Sequence, residues 1–395
     1  MTTINKVFTG LLALALIFSA GCKKKKDVVT PVNSYDVPTS YSGFSNVEYS
    51  EATTRLNMFK TIENQMKKGV PATGTYTLDG TALKNMFSNS SSPFTDSTQW
   101  NGISIQLEDH VDPNAHTLIE GYLDTYAQSS ASTTPADFGT GGTVGTAGIA
   151  TGNATNGSKR TLFDAHGINH AQAFQKTMFG AFLVYQIDNI LANIANQDNS
   201  ANVSGQSYTA QEHAWDLAFG YAGFSKKYTV DSLTNTTFIA AHKSLYFYIA
   251  NYSTQVDAGI HSSTALLNAF LKGRAAISNK DDATRDAQAT LIIAELEKFL
   301  AACVIHEINE LMTGNATVKF PDAPSKCSSL SESMGFLIAM KYNPRKVTIS
   351  DTQIDDVLSH YHATTNLNDV SLSDVSYIKN TISSIYGLDS LKDII

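Results

Sequence analysis

The chain has 395 residues, 42% of them hydrophobic and 16% charged, and a formal net charge of −8 at pH 7. That is the composition of a globular protein long enough for one large or two ordinary domains with real cores. The acidic balance excludes a nucleic-acid binder, which needs Lys and Arg clustered on one face; the one basic block is Lys23–Lys26.

In chain order, Lys6 precedes an apolar run from Leu11 to Phe18, and Ser19, Ala20 and Gly21 lead into Cys22. A short apolar run ending in small residues over positions 1–21 is an export signal, since a membrane span needs about 20 apolar residues. Residues 22–44 begin with KKKKD and carry Pro31 and Pro38, the pattern of a solvated tether. From residue 45 to 395 the chain reads as the folded body. Leu56, Phe59, Ile62 and Met66 at helical spacing, with Gly69 before Pro71, predict a helix over 45–69. Leu83, Met86 and Phe87 suggest another turn, and Leu118, Tyr122 and Leu123 a helix over 116–128. Residues 129–160 are almost all Ser, Thr, Gly, Ala and Asn and predict a long loop. Its GTGGTVGTAG run has no preceding strand and opens no helix, so a phosphate-binding reading lacks its context; a flexible segment, or a lid at most, is expected. Helical patterns then follow at 167–197, 209–223, 236–252, 261–278, 283–313, 328–342 and 373–386. Period-two alternation is not sustained anywhere, so no sheet is expected beyond a short hairpin. The predicted class is all-α, with helices packed as bundles.

The segment EHAWDLAFGYAG, Glu212 to Gly223, sets acids and a histidine within about one helical turn. Trp215, Ala218, Phe219 and Ala222 form an apolar stripe, with Leu217 and Tyr221 on the far side, so Glu212, His213 and Asp216 share one polar strip beside Gly220. A second strip lies on the 283–313 helix, where Glu295, His306, Asn309 and Glu310 share a face with Phe299, Ala302 and Cys303. The run HEINE at His306 ends in Glu310 where a zincin has its second zinc histidine, which argues against that mechanism. Acids and histidines on facing bundle helices can build metal sites. Glu212, His213 and Asp216, with His306, Glu310 and Glu332, are therefore the candidate ligands; their O and N donors suit iron, zinc or manganese. The competing reading makes them interhelical salt bridges and caps.

Tyr246, Phe247, Tyr248 and Tyr252 form an aromatic run that either stacks a ring-shaped ligand or packs the core. Arg274, Lys280, Asp281, Asp282 and Arg285 read as pairs at a helix junction, while His166, His170 and His242 are scattered. Cys303 and Cys327 leave a bridge open in an oxidising compartment, although Cys303 reads by default as a small buried helix residue. Neither a G-x-S-x-G elbow nor a P-loop is present in the sequence.

Two resemblances add to this reading. The run SAGC resembles the lipobox of bacterial lipoproteins, with Ser19 where that family most often has Leu. It implies a lipidated Cys22 and an anchor in the bacterial outer membrane, facing the periplasm or the cell surface. NSYDVPTSYSGFSNVEYSEATTRLNMF near the start, QKTMFGAF from Gln175, EHAWDLAFGYAG from Glu212, FLKGRAAISNKD from Phe270, SESMGF around Glu332 and YNPR at Tyr342 together resemble the DUF4856 lipoproteins of Bacteroidetes, a branch close to the imelysins. The resemblance implies an imelysin-like fold of two packed, pseudo-repeated helical bundles enclosing a site, and an association with iron uptake. The imelysin G-x-H-x-x-E motif is altered here, with Gln211 in place of the glycine and Asp216 in place of the glutamate. The expected function is a lipoprotein that binds a ligand in iron or other metal acquisition, with iron or zinc bound, no catalytic residue, and an outer-membrane transport partner. The alternatives are a metallopeptidase with Glu307 or Glu310 as its base, and a glycan-binding lipoprotein that displays Tyr246 and Tyr248.

Overall fold

In the computed structural model, which describes residues 35–154, 157–233, 235, 237, 247–311 and 322–395, the first long helix is α1 (Ser50–Lys67). Its apolar spacing buries Leu56, Phe59, Ile62 and Met66. Next come α2 (Gly80–Ser88), whose Asp79 cap accepts the Thr81 and Ala82 amides, and α3 (His116–Ser130). Strands β1 (Gly148–Ala154) and β2 (Gly157–Phe163) pair antiparallel with Gly148 opposite Phe163. Then follow α4 (His170–Met178), a π-helical turn (Phe179–Val184), α5 (Tyr185–Ala192), α6 (Ala210–Ala222) and the single turn α7 (Val230–Leu233). The remainder comprises α8 (Tyr248–Gln255), α9 (Ser262–Ser278), α10 (Asp282–Asn309), α11 (Ala323–Lys341), α12 (Asp351–Ser359) and α13 (Leu372–Ile385).

The class is all-α. The long α10 packs against α5, α9, α11 and α13, and α11 in turn packs against α4, α12 and β1. Residues Tyr35–Ile395 form one unit around a continuous apolar core. No helix among the described residues is long and apolar enough to cross a membrane. The signal segment, Cys22, the start of the tether, His242 and Tyr246 lie outside the described residues.

Several elements depart from the expected pattern. The 167–197 helix is interrupted because Gly180, in the π turn, passes so close to α11 that an added Cβ would lie 1.9 Å from the Ala339 carbonyl oxygen. Widening the helix there lets the two backbones meet. The expected 129–160 loop contains β1 and most of β2, and its glycine-rich stretch is tied down. The Gly141 and Gly142 amides donate to the Asp369 carboxylate at 2.9 and 2.6 Å, and the Asn366 side chain donates to the Phe138 and Thr143 carbonyls. The folded body also starts before residue 45. Tyr35 donates to Asp281 at 3.0 Å, and Tyr41 is fully buried, stacked on Phe219 with centroids 3.6 Å apart. Helix α12 was not anticipated, since it buries only Ile354 and Val357, too few apolar positions to set a period; a Ser350–Gln353 capping box starts it. Of the expected 236–252 helix, the described part is α8, and Cys303 and Cys327 are buried free thiols.

One buried acid stands apart. Asp188 on α5 is fully buried and neither carboxylate oxygen has a hydrogen-bond partner among the described residues. Burial pushes its pKa up to about 8, against the opposing pull of Arg345. A carboxyl whose folded pKa lies above its unfolded value of about 3.9 contributes stability at low pH and loses it as pH rises between the two values. Asp188→Asn removes that linkage. Its stability relative to the native chain is expected to rise by about 1.4 kcal/mol per pH unit between pH 5 and pH 8 in urea unfolding. Parallel curves for the two proteins across that range would refute the buried neutral acid.

Candidate functional site

The polar strip of α6 is closed by an arginine from α9. Glu212 is the N3 residue of a capping box with Thr209, its Oε2 accepting the Thr209 amide at 3.0 Å and its own amide donating back at 3.2 Å. Its Oε1 receives Arg274 Nη1 at 2.8 Å and the Ser278 hydroxyl at 3.1 Å. Asp216, fully buried one turn on, accepts Arg274 Nε at 2.9 Å, the Tyr41 hydroxyl at 2.7 Å and the Glu48 amide at 3.1 Å. Burial works against the charged form of Glu212, but the Thr209 amide and Arg274 together hold its pKa below the ordinary carboxylate value. Trp215 closes the apolar side: its indole donates to the Phe270 carbonyl at 3.0 Å and lies where a Cβ on Gly273 would be 2.0 Å from the ring. His213 points elsewhere, with Nδ1 3.1 Å from the Glu48 carbonyl oxygen and its ring stacked on Tyr208.

The other candidates occupy a different place. His306 is half-buried with Nδ1 unpartnered, and Glu310 is exposed at the C-cap of α10. Glu332 on α11 accepts Lys176 Nζ at 2.9 Å. Lys176 is buried on α4, lies over the Tyr252 ring, and donates to the Tyr252 oxygen and to Gln175 Oε1 at 2.6 Å. Gln175 donates to Glu63 on α1, which also accepts the Tyr248 hydroxyl at 3.0 Å. Behind Glu332 lies Glu307, buried on α10; burial, then the Glu332 charge, raise its pKa well above the ordinary value, against the pull of Lys176, and it hydrogen-bonds to Glu332. The sequence reading had considered Glu307 only as a peptidase base. Buried in this way, it is not poised to activate water.

This polar chain underlies two cavities. The larger, about 420 Å³, lies between α1, α3, α4 and β2 and is walled by Met66, Val70, Tyr126 and Leu162, with amides from Asn169, Gln172 and Gln175. Its charged lining is Lys67, Lys159 and Arg160 against Glu63 alone. Arg160 donates to the Gly74 carbonyl at 2.7 Å and Glu63 is held as described, whereas Lys67 and Lys159 make no ion pair among the described residues. Partial burial and the neighbouring Lys60 lower the Lys67 pKa; Glu63 pulls it back up, and Lys159 adds a further lowering. The smaller cavity, about 120 Å³, shares Lys159 and Thr161 and adds Ser325, Ser328, Ser329 and Glu332.

The predicted ligands thus separate into an arginine-bound pair on α6, a lysine-bound acid on α11, His213 against Glu48 and Tyr208, and His306 and Glu310 at the end of α10 with no side-chain hydrogen bond or ion pair among the described residues. Among the described residues no three His, Cys, Asp or Glu side chains converge to hold a metal ion. The acceptors of Glu212 and Asp216 are taken by Arg274, so this set does not fit a resident iron or zinc ion. Salt bridges and a capping box account for Glu212, Asp216 and Glu332 instead. Sequence reasoning missed Lys176, Lys67 and Lys159. For Lys176 a signal existed: a lysine in the apolar run of QKTMFGAF, on a helix face with Ala173. The buried Tyr248, bonded to Glu63, does not offer a sugar-stacking platform.

The family described as a domain of unknown function, DUF4856, matches residues 35–389, and the chain belongs to it. No curated protein and no solved structure matches the chain.

Breaking the α6 knot from either side strands a buried charge. Asp216→Asn and Arg274→Met are each expected to destabilise the fold by about 3–5 kcal/mol in urea unfolding. His213→Ala, which removes one half-buried contact, should cost about 1 kcal/mol. A loss of similar size at all three positions would contradict the separation of His213 from the ion pair.

Proposed function

We propose that this member of the DUF4856 family is a lipid-anchored binding protein of the bacterial envelope, which holds an anionic small molecule in the cleft between α1, α4 and β2. The observation that carries this reading is the pair of lysines, Lys67 and Lys159, in the wall of a cavity of about 420 Å³, neither of them in an ion pair among the described residues, with Glu63 as the one acid in the same lining. A half-open cavity with apolar walls and a few converging polar groups is the usual form of a small-molecule site. Export and anchoring through lipidated Cys22, an outer-membrane location and a transport partner belong to the same proposal, and the lipobox-like SAGC supports them. So do the imelysin relationship, a bacteroidete source and a role in metal acquisition. With no donor set for a bare ion, the metal enters as cargo, an anionic complex with carboxylate ligands held by the lysines. Catalysis gains no support, since Glu307 is buried and Glu332 is engaged by Lys176.

Calorimetric titration of the purified full chain with citrate and with ferric citrate tests this. Binding of at least one is expected at low ionic strength, weakening as salt is added. The Lys67→Met, Lys159→Met double variant should weaken it by at least tenfold. Absence of binding of either probe, or equal affinity in the double variant, would overturn the assignment. Metabolic labelling with a palmitate analogue checks the anchor: label should be incorporated by the native chain and lost in Cys22→Ala.

A further inference from the structure

The smaller cavity has a different chemistry from the larger one, and the two meet. Lys159 and Thr161, two residues apart and on one face of β2, line both. Beyond them the smaller cavity presents the hydroxyls of Ser328 and Ser329 from one turn of α11, half-buried and without hydrogen-bond partners among the described residues. The Thr161 hydroxyl, on a residue 7% exposed, is likewise without a described partner. At its floor lies the Glu332 carboxylate. One oxygen accepts Lys176 at 2.9 Å, but a carboxylate has about four acceptor sites and keeps capacity for a further donor. Lys176 is 1% exposed and anchored by Gln175 and Tyr252 as well, so Glu332 is held in place before any ligand arrives.

An anion alone has no use for this second chamber. Glu332 repels it, and three hydroxyls with a carboxylate suit a partner that both donates and accepts hydrogen bonds. Alcohol groups do both. A purely apolar extension would leave the hydroxyls and the carboxylate desolvated and unpaired. We propose that the two cavities form one elongated site for a polyhydroxylated carboxylic acid, its carboxylate at the Lys159 junction and a hydroxyl-bearing arm in the chamber formed by Thr161, Ser328, Ser329 and Glu332. The proposal rests on the reading of the larger cavity as an anion site, and it names the class of molecule that site takes.

The test compares gluconate, a hydroxylated acid, with lactobionate, which carries the same acid on a longer hydroxylated arm, and with neutral lactose, in calorimetric titrations of the full chain. Lactobionate is expected to bind at least tenfold more tightly than gluconate, and lactose more weakly than either. In Ser328→Ala, Ser329→Ala the lactobionate advantage should fall to within about threefold of gluconate, lactobionate losing more affinity than gluconate, with an unchanged thermal unfolding midpoint reporting that the variant is folded; Glu332→Gln serves as an independent probe with the same expected pattern. If gluconate binds and lactobionate is no tighter, or if the serine variant weakens both acids equally, the elongated site is wrong while the anion site stands. If neither acid binds, both readings fall together.

Discussion

Arg274 sets the terms for much of this fold. It is 1% exposed, and a guanidinium cannot lose its proton, so burying it obliges the chain to bring acids to it. Asp216 and Glu212 satisfy that need from one face of α6, one turn apart, and the angle between α6 and α9 follows from reaching both. Asp216 then has acceptor sites left over, which the Tyr41 hydroxyl and the Glu48 amide fill. This draws residues 41–48 across α6, lets Tyr41 stack on Phe219, and brings the Glu48 carbonyl to His213. The N-terminal segment thus belongs to the body because of an electrostatic obligation on the far side of α6. Losing either charge would be costly not because the pair is strongly stabilising in itself but because the survivor is left in apolar surroundings.

Lys176 repeats the logic on the other side of the molecule with a different outcome. Its ammonium is buried among aromatics on α4, and burial alone would lower its pKa; the Glu332 charge is the first of the influences that drive it upward. The lysine remains a cation, and Glu332 remains its counter-ion. Glu307, facing a carboxylate that is already engaged, has its pKa raised well above the ordinary value by burial and then by that charge. The cluster connects the floors of two cavities through Glu63, Gln175 and Glu332. The arrangement places fixed polar groups beneath both cavities.

The helices were legible because apolar spacing alone specifies them: the Leu56, Phe59, Ile62, Met66 stripe sits buried where its period placed it. Breaks in helices were less legible. Nothing local in FGAF announces that Gly180 will meet the Ala339 carbonyl, because that contact belongs to packing with α11. The metal-ligand set illustrates the same limit. Glu212 and Asp216 do share a face, as the helical wheel requires, but their partner stands 62 and 58 residues away, in a segment whose charges read as a local junction. A wheel reports which side chains are neighbours on one helix and is silent about what the next helix brings. The cleft was invisible for that reason too, being assembled from α1, α3, α4 and a hairpin in a stretch that reads as loop.

Placed side by side, the polar features differ in whether the chain answers its own charge. The glycine-rich loop offers paired amides of the kind that cradle phosphate, yet Asp369 already fills them, so the segment is a clasp and its anion is internal. Arg274 is met by two acids and Lys176 by one. At the α1, α4, β2 cleft the answer is incomplete: Lys60, Lys67 and Lys159 stand around a single acid, Glu63, which pulls on Lys67 but is bonded to Lys60, Gln175 and Tyr248. Crowded cations facing a cavity raise each other's energy, and an arriving anion relieves that cost in addition to the contacts it makes. That asymmetry, more than cavity size, distinguishes this cleft from the rest of the molecule.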